Sequence, residues 1–531
     1  MFPYDIPEIT FSGKIIENEY LKITLLPEMG GRILSMVYKP TGHEQLYQNP
    51  VGAPYGIGED WFYYKWLMVY GGIFPTLPEP EHGKAWLLPW NFEIVKETSD
   101  TVTCMMSWTD DVQLEGIDNN KWKYGKTGLT CEFYITLVKG NISLETEFVL
   151  TNNKNENLDY EFWTCLTLAP GSEPGNPECT SGIEMIIPAE KIKIPSWYPD
   201  IASQEDRVPG EWGHYKFENL RYWANWTNDG IAYPWDDNNE NYWGLINHDN
   251  EEGFIRVADN SITPGIKIWA WGYDQTQDIN PYDMPHNSRR PYVELWAGHS
   301  NEFFEAAQIE MNAVKRWKET YFPTVGLKNV TNATEEIVGD FKIENRAGEN
   351  FVDFNFVSAN PNKNITVEFL IKGQNPQTLL NSEVDIDPVS GNYISAELPS
   401  GQPWVDEDSI VCRVKDSENN NLLTVSLPLN NVVTGIRDFE NELNKDFQLS
   451  QNYPNPFNPT TIINFNTPVE SFVNLKVYDI MGREVADIIS EEKPAGNCSV
   501  TFDGRGLTSG ICFYRIQAGY YNAVRRMLLL K

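Results

Sequence analysis

The chain has 531 residues, with 41 Lys and Arg against 75 Asp and Glu, so its formal charge is −34. A field of that sign repels phosphate backbones and argues against nucleic acid as a partner. The length suits about three domains. Seven cysteines contain no Cys-x-x-Cys pair, which argues against a disulfide framework and against a zinc or redox motif. No run approaches the roughly 20 apolar residues of a membrane helix.

In chain order, Met1 to Glu8 lacks the basic and apolar regions of a signal peptide. Residues 1–325 form one chemical population, because 17 of the 18 tryptophans fall at or before Trp317. Alternating runs such as Leu21 to Leu25, Thr130 to Leu137, Ile142 to Leu150 and Gly265 to Trp271 predict a large all-β domain. Cys104, Cys131 and Cys165 lie in strand-like apolar contexts and read as small buried hydrophobes.

Sugars present a face of C–H bonds and a fringe of hydroxyls, so their sites pair aromatic platforms with carboxylates, amides and guanidinium groups. The stretch from Trp61 to Trp90 fits: Trp61, Tyr63, Tyr64, Trp66, Tyr70, Trp86 and Trp90 surround Glu79, Glu81 and His82. Three prolines and three glycines between Gly71 and Gly83 predict a shaped loop, and loops on a β scaffold commonly carry function. His82, beside Glu81, is the first acid/base candidate, because imidazole titrates near neutral pH. His43, His248 and His299 sit in polar, turn-like contexts, whereas His214 and His286 lie in aromatic or proline-rich loops that can line the same cleft. Residues 236–240 are rich in oxygen ligands, but Asn241 and Asn247 stand where a calcium loop needs Gly and Glu, so an acidic turn is expected and no metal. Glu294 alternates with Val293 and Leu295 inside a predicted strand, and an unpaired buried carboxylate there is costly, so it must face water, a partner or a ligand. Trp271 and Arg32 complete the candidate binding set.

Residues 326–431 change to polar strands separated by turns, with breakers at 360–364 and 387–392, and read as an immunoglobulin-like sandwich argued from strand spacing. Residues 432–451 form a charged linker. Residues 452–531 contain alternating runs at Phe472 to Tyr478 and Ile511 to Ile516, with a turn at Met481-Gly482, and predict a small antiparallel β-sandwich.

Two resemblances sharpen these readings. Glu17 to Ser35, with a strand reaching Pro27, a Gly30-Gly31 turn and a second strand from Arg32, resembles the opening hairpin of galactose-mutarotase-like supersandwich domains. Gly71-Gly72 and Tyr292-Val-Glu-Leu-Trp-Ala-Gly298 resemble motifs of an uncharacterised bacterial branch of that superfamily. The resemblance implies two broad sheets whose concave face binds sugar, with Glu294 as base or hydroxyl acceptor. The Asn-Pro-His motif of the epimerases is missing, which weakens carry-over of their mechanism. Pro454-Asn-Pro-Phe-Asn-Pro459, Leu475 to Val485 and Gly510 to Ile516 resemble, in order, the type A C-terminal sorting domain of type IX secretion cargo. That implies an exported protein, released or attached to the outer surface, whose partner is the secretion machinery.

The functional expectation is an exported carbohydrate-binding protein with an aromatic cleft in residues 1–325, without cofactor. Catalysis is left open. An epimerase would use Glu294 as base with His82 or His214 as acid. A polysaccharide lyase would use Tyr63, Tyr64 or His82 as base and Arg32 to neutralise a uronate. A non-catalytic surface protein is the alternative from another class.

Overall fold

A computed structural model of the chain describes residues 10–48, 71–79, 83–111, 125–175, 177–195, 206–226, 230–235, 240–270, 292–346, 348–400, 404–430, 448–449, 452, 455, 457–467, 471–479, 483–494, 496–518 and 521–530. The N-terminal architecture is two large antiparallel sheets. The first has 11 strands. From one edge it runs Lys14–Glu17, Leu21–Leu26, Arg32–Tyr38, His43–Leu46, Trp163–Ser172, Val293–Gly298, Gly265–Ala270, Gly230–Pro234, Lys191–Lys193 and His214–Lys216, with Gly72–Thr76 paired to both Trp163–Ser172 and Arg32–Tyr38. The second has 8 strands, from Ile183–Ile186 through Tyr242–Asn247, Glu252–Ala258, Val314–Val325, Leu144–Thr151, Thr130–Val138 and Thr101–Thr109 to Asn91–Glu97.

The two sheets bury themselves differently. Thr130–Val138 alternates strictly between buried and half-buried positions, so one face of the 8-stranded sheet packs on the core and the other meets water. Val293–Gly298 and Gly265–Ala270 are buried at every position, so the middle of the 11-stranded sheet is covered on both faces. The expected glycine turn is present: Gly30 and Gly31 have φ of 71° and 56°, and the next strand starts at Arg32. A Cβ on Gly30 would come within 1.9 Å of the Trp86 carbonyl oxygen, so only glycine allows this backbone approach.

Between the sheets lies an ion pair with no exposure. Arg256 Nε donates to Glu319 Oε2 at 2.5 Å, while its other nitrogens donate to Asn260 Oδ1 at 3.0 Å and Thr263 Oγ1 at 2.9 Å. Glu319 also accepts from Trp317 Nε1, Tyr321 Oη and Thr164 Oγ1 at 3.1, 3.0 and 3.2 Å. Thr164 belongs to the 11-stranded sheet and Glu319 to the 8-stranded one, so this network ties the two together.

After Val325, two four-stranded sheets follow, one ordered Asn332–Ala333, Ile337–Arg346, Glu349–Ser358, Asn392–Glu397 and the other Gln377–Val384, Ile365–Lys372, Ser409–Asp416, Asn421–Pro428. The breakers at 360–364 and 387–392 fall at turns between these strands. This sandwich and the large one form a single compact unit, residues 1–433. Val330, Val338, Val357 and Ala359 join the core of the large sheets, the Ile142 amide donates to the Ala359 carbonyl at 2.8 Å, and Asn355 Nδ2 donates to the Gly326 carbonyl at 2.8 Å.

The second unit, residues 434–531, packs a three-stranded sheet, Gln448–Leu449, Thr460–Thr467 and Gly496–Asp503, with a four-stranded sheet, Glu484–Lys493, Ser471–Asp479, Gly510–Ala518 and Tyr521–Leu529. Both strands expected there form, and the turn expected at Met481-Gly482 lies outside the described residues. The protein is therefore all-β. All seven cysteines are free thiols, six of them buried.

Removing one member of the inter-sheet ion pair strands the other charge where no water reaches it. Glu319→Ala is therefore expected to cost about 3–5 kcal/mol of stability, read as a lowered urea midpoint. The double replacement Arg256→Met with Glu319→Leu should recover a large part of that loss.

Candidate functional site

Directly opposed residues in an antiparallel sheet point to the same side, so the register fixes which side chains share a face. Across the three central strands of the 11-stranded sheet, Thr167 opposes Glu294 and Glu294 opposes Trp269; Cys165, Trp296 and Lys267 form the next row; Trp163, Gly298 and Gly265 form the third. The strand on the far side of Trp163–Ser172 adds Gly72, Phe74 and Thr76 to the same rows. The intervening residues, Val293, Leu295, Ala297, Ile266 and Ile268, face the 8-stranded sheet. One face of this sheet is thus aliphatic, and the other carries a carboxylate, a lysine and aromatic rings.

That outer face is tightly organised. The Trp163 indole lies over glycines, and a Cβ on Gly298 would come within 2.3 Å of it. Phe303, from the loop after Val293–Gly298, meets Trp163 and Trp296 edge-on at 4.9 and 5.6 Å. The Lys267 ammonium sits 3.7 Å from the Trp296 ring centre and 4.3 Å from that of Phe303, a cation held by two π faces. Glu294 accepts a hydrogen bond from Trp296 Nε1 at 2.8 Å and is 3% exposed. Beside it, Trp269 packs on Tyr292 at 5.8 Å, and Tyr292 stacks on Tyr47 at 4.0 Å. Burial pushes the Cys165 thiol well up; the Glu294 carboxylate adds to the rise, and Lys267 and Arg32 oppose it.

The other expected site residues fall in three places. His82, Trp61, Tyr64, Glu81 and Trp271 lie outside the described residues, as do His286 and residues 236–239 of the acidic turn. Arg32, Trp86 and Trp90 are structural in their surroundings. Arg32 has no exposed surface; it donates to the carbonyls of Met29, Gly71 and Trp86 at 2.7, 2.9 and 3.0 Å and lies 4.3 Å over the Phe74 ring, clamping the Gly30-Gly31 turn to the Gly71 segment. Trp86 and Trp90 are 2% and 5% exposed; Trp86 stacks on Phe74 at 6.5 Å, and Trp90 stacks on Trp108 at 6.3 Å while donating to the Ala85 carbonyl at 3.0 Å. They are core members where open sugar platforms were expected.

His214 does reach the outer face, but at the far edge of the sheet. It opposes Lys193, which opposes Tyr233, two residues along the strand from Ile231, the partner of Trp269. Four strand spacings, about 19 Å along the sheet, separate it from the strand of Glu294. The expected pairing of Glu294 as base with His214 as acid across one sugar ring does not fit that separation. Lys267, Trp269 and Trp296, which share the outer face with Glu294, are not among the residues that the sequence singles out. Alternation in Gly265–Ala270 places Lys267 and Trp269 on one side, but the strand they oppose is not written in the sequence.

His299, expected in a polar turn, instead packs against Phe162 and Trp317 at 5.2 and 4.4 Å. Its Nδ1 meets the Tyr160 hydroxyl at 2.7 Å, and Lys315 Nζ donates to that hydroxyl at 3.1 Å. Among the described residues no trio of His, Cys, Asp or Glu is placed to hold a metal, and no helix is long and apolar enough to cross a membrane.

Two broad antiparallel sheets, one presenting a covered polar and aromatic outer face, define a large β-sandwich class, here followed by a secretion sorting domain. The chain belongs to the family described as a domain of unknown function, DUF5107, which matches residues 9–324, and residues 451–530 match the secretion system C-terminal sorting domain. The protein is accordingly cargo of the type IX secretion system, secreted or attached to the outer surface. Among solved structures it is similar to a TPR-domain containing protein from Parabacteroides distasonis, at 19% identity over 59% of this chain and 47% of that one, with a TM-score of 0.45. The chain thus spans about half the length of that relative. It is also similar to galactose mutarotase-like proteins from Lactobacillus casei (11% identity, 59% of this chain and 100% of that chain, TM-score 0.36) and Clostridium acetobutylicum (11%, 60% and 97%, 0.40).

Burial holds the His299 imidazole neutral, with its pKa pushed down to about 3 from the ordinary 6.5, and the nearby Lys315 charge acts in the same direction. Below pH 6.5 the unfolded chain takes up a proton that the folded chain refuses, so this group's contribution to stability is complete above 6.5 and is lost as pH falls towards 3. His299→Phe is expected to flatten the acid side of the stability curve relative to wild type, measured by urea unfolding across that range.

Proposed function

We propose that the protein is an exported glycan-binding protein whose large domain holds carbohydrate on the outer face of its 11-stranded sheet. The observation that carries this reading is the row Thr167, Glu294, Trp269 with Trp296 and Lys267 beside it: an acceptor, a hydroxyl and a cation among flat aromatic rings. Those are the group types that a pyranose needs, since aromatic faces take its C–H surface and fixed polar groups take its hydroxyls. Glu294 is the group proposed to accept a sugar hydroxyl.

Binding without turnover is the reading favoured over epimerisation. With Glu294 as base at the anomeric hydroxyl, the acid must reach the ring oxygen on the same carbon; of the two histidines considered for that role, His214 stands about 19 Å along the sheet from the strand of Glu294 and His82 lies outside the described residues. Lyase action on a uronate fits less well too, since Arg32, its proposed neutraliser, is buried against backbone carbonyls. Export suits a protein whose ligand is an extracellular polysaccharide.

The test is a panel of neutral and acidic polysaccharides titrated into the full chain and followed by tryptophan fluorescence. Saturable binding is expected, weakened about tenfold, or ~1.4 kcal/mol, in Glu294→Gln, which retains an acceptor for Trp296. Circular dichroism on the variant checks that the fold is kept. If no member of the panel binds, the reading is wrong; product formation during the titration would replace binding with catalysis.

A further inference from the structure

At the far edge of the 11-stranded sheet, the outer face ends in side chains that packing alone does not explain. Lys193, His214 and Tyr233 share the face of Glu294 and Trp269 by register, and Trp235 continues the same alternation just past Gly230–Pro234, where its amide donates to the Lys191 carbonyl at 3.0 Å. Trp235 is 47% exposed, whereas most of the other described tryptophans of this domain are buried. One edge of its ring meets His214 at 4.5 Å, and the Lys193 ammonium lies 4.8 Å from its centre. Lys193 is also ion-paired with Glu302, both side chains being partly exposed. Both ring nitrogens of His214 are buried, and neither has a hydrogen-bond partner among the described residues. Leaving such groups unpaired costs about 1–3 kcal/mol each, which a structural histidine would avoid by turning towards a partner.

We propose that Trp235, His214, Lys193 and Glu302 form an outer subsite for a neutral pyranose residue, and that the ligand is a glycan chain running along the sheet from this edge to Glu294. The proposal rests on the glycan-binding reading above and adds the size and charge of the ligand. The half-exposed indole offers a stacking platform. Lysine and glutamate side by side present a donor and an acceptor, the complement of two adjacent hydroxyls, and imidazole supplies one more of either kind. A uronate suits this arrangement poorly, because its carboxylate would have to compete with Glu302 for Lys193 and approach a chain of charge −34. The strands of Lys193 and Glu294 are three spacings apart, about 14 Å, longer than one sugar ring, so a free monosaccharide cannot occupy both ends.

The experiment titrates the full chain with galactomannan and xyloglucan as neutral polymers and polygalacturonate as the acidic one, and then with the hexasaccharide and monosaccharide of whichever binds. Trp235→Ala removes a half-exposed ring, and its thermal unfolding should match wild type. The expected result is that a neutral polymer and its hexasaccharide bind at least tenfold more weakly to Trp235→Ala, whereas polygalacturonate binds neither protein tightly. His214→Phe, which keeps a ring against Trp235 but removes its nitrogens, should also weaken the hexasaccharide. Hexasaccharide binding equal to wild type in Trp235→Ala, or polygalacturonate bound more tightly than the neutral polymers, overturns the subsite. In either case, a loss caused by Glu294→Gln would leave the broader glycan-binding reading standing. If none of the polymers binds, both readings fall together.

Discussion

The Arg256–Glu319 pair between the two large sheets is the constraint on which the rest of the domain depends. A guanidinium and a carboxylate with no exposure are tolerable only if every remaining donor and acceptor is matched, and here Asn260, Thr263, Trp317, Tyr321 and Thr164 do the matching. Because Thr164 reaches across from the opposite sheet, sliding Trp163–Ser172 by one residue would turn Thr164 outward and leave Glu319 short of a donor. The same slip would carry Cys165 and Thr167 into the core. Fixing Thr164 inward therefore fixes the row that places Thr167 opposite Glu294.

From that register follows the division of labour in the 11-stranded sheet. Its inner face is aliphatic and interdigitates with the 8-stranded sheet, while its outer face combines charge with aromatic rings and is covered in the middle by Phe303. Lys267 shows how such a face tolerates a buried cation: it lies between the Trp296 and Phe303 rings, beside the strand that carries Glu294. Towards the edge the cover thins, and a half-exposed tryptophan replaces the buried ones. The gradient from a closed centre to an open edge is what an extended ligand needs, since it allows one end to be enclosed while the chain continues into solvent.

The remaining modules serve delivery and support. The middle sandwich shares a hydrophobic seam with the large domain and is packed too closely to be a loosely tethered bead. The sorting domain is a compact unit of its own with a separate core, as expected of a module read by export machinery independently of the cargo it carries.

Period-two alternation made the all-β class legible in the sequence, because a strand with one face in the core records that face in its own residues. The Gly30-Gly31 turn was legible for a similar reason: positive φ and a backbone in contact leave room for no other residue. The sorting domain was legible from ordered local motifs. Tertiary structure alone decided which strands lie side by side. Cross-strand neighbours are far apart in the chain, so nothing local says that Glu294 meets Thr167 and Trp269, that His214 lies four strands away, or that Arg32 is consumed by three backbone carbonyls. For the same reason Trp86 and Trp90 read as sugar platforms while being core: composition reports which rings are near one another in sequence, and only the packing of the two sheets decides which of them face inward.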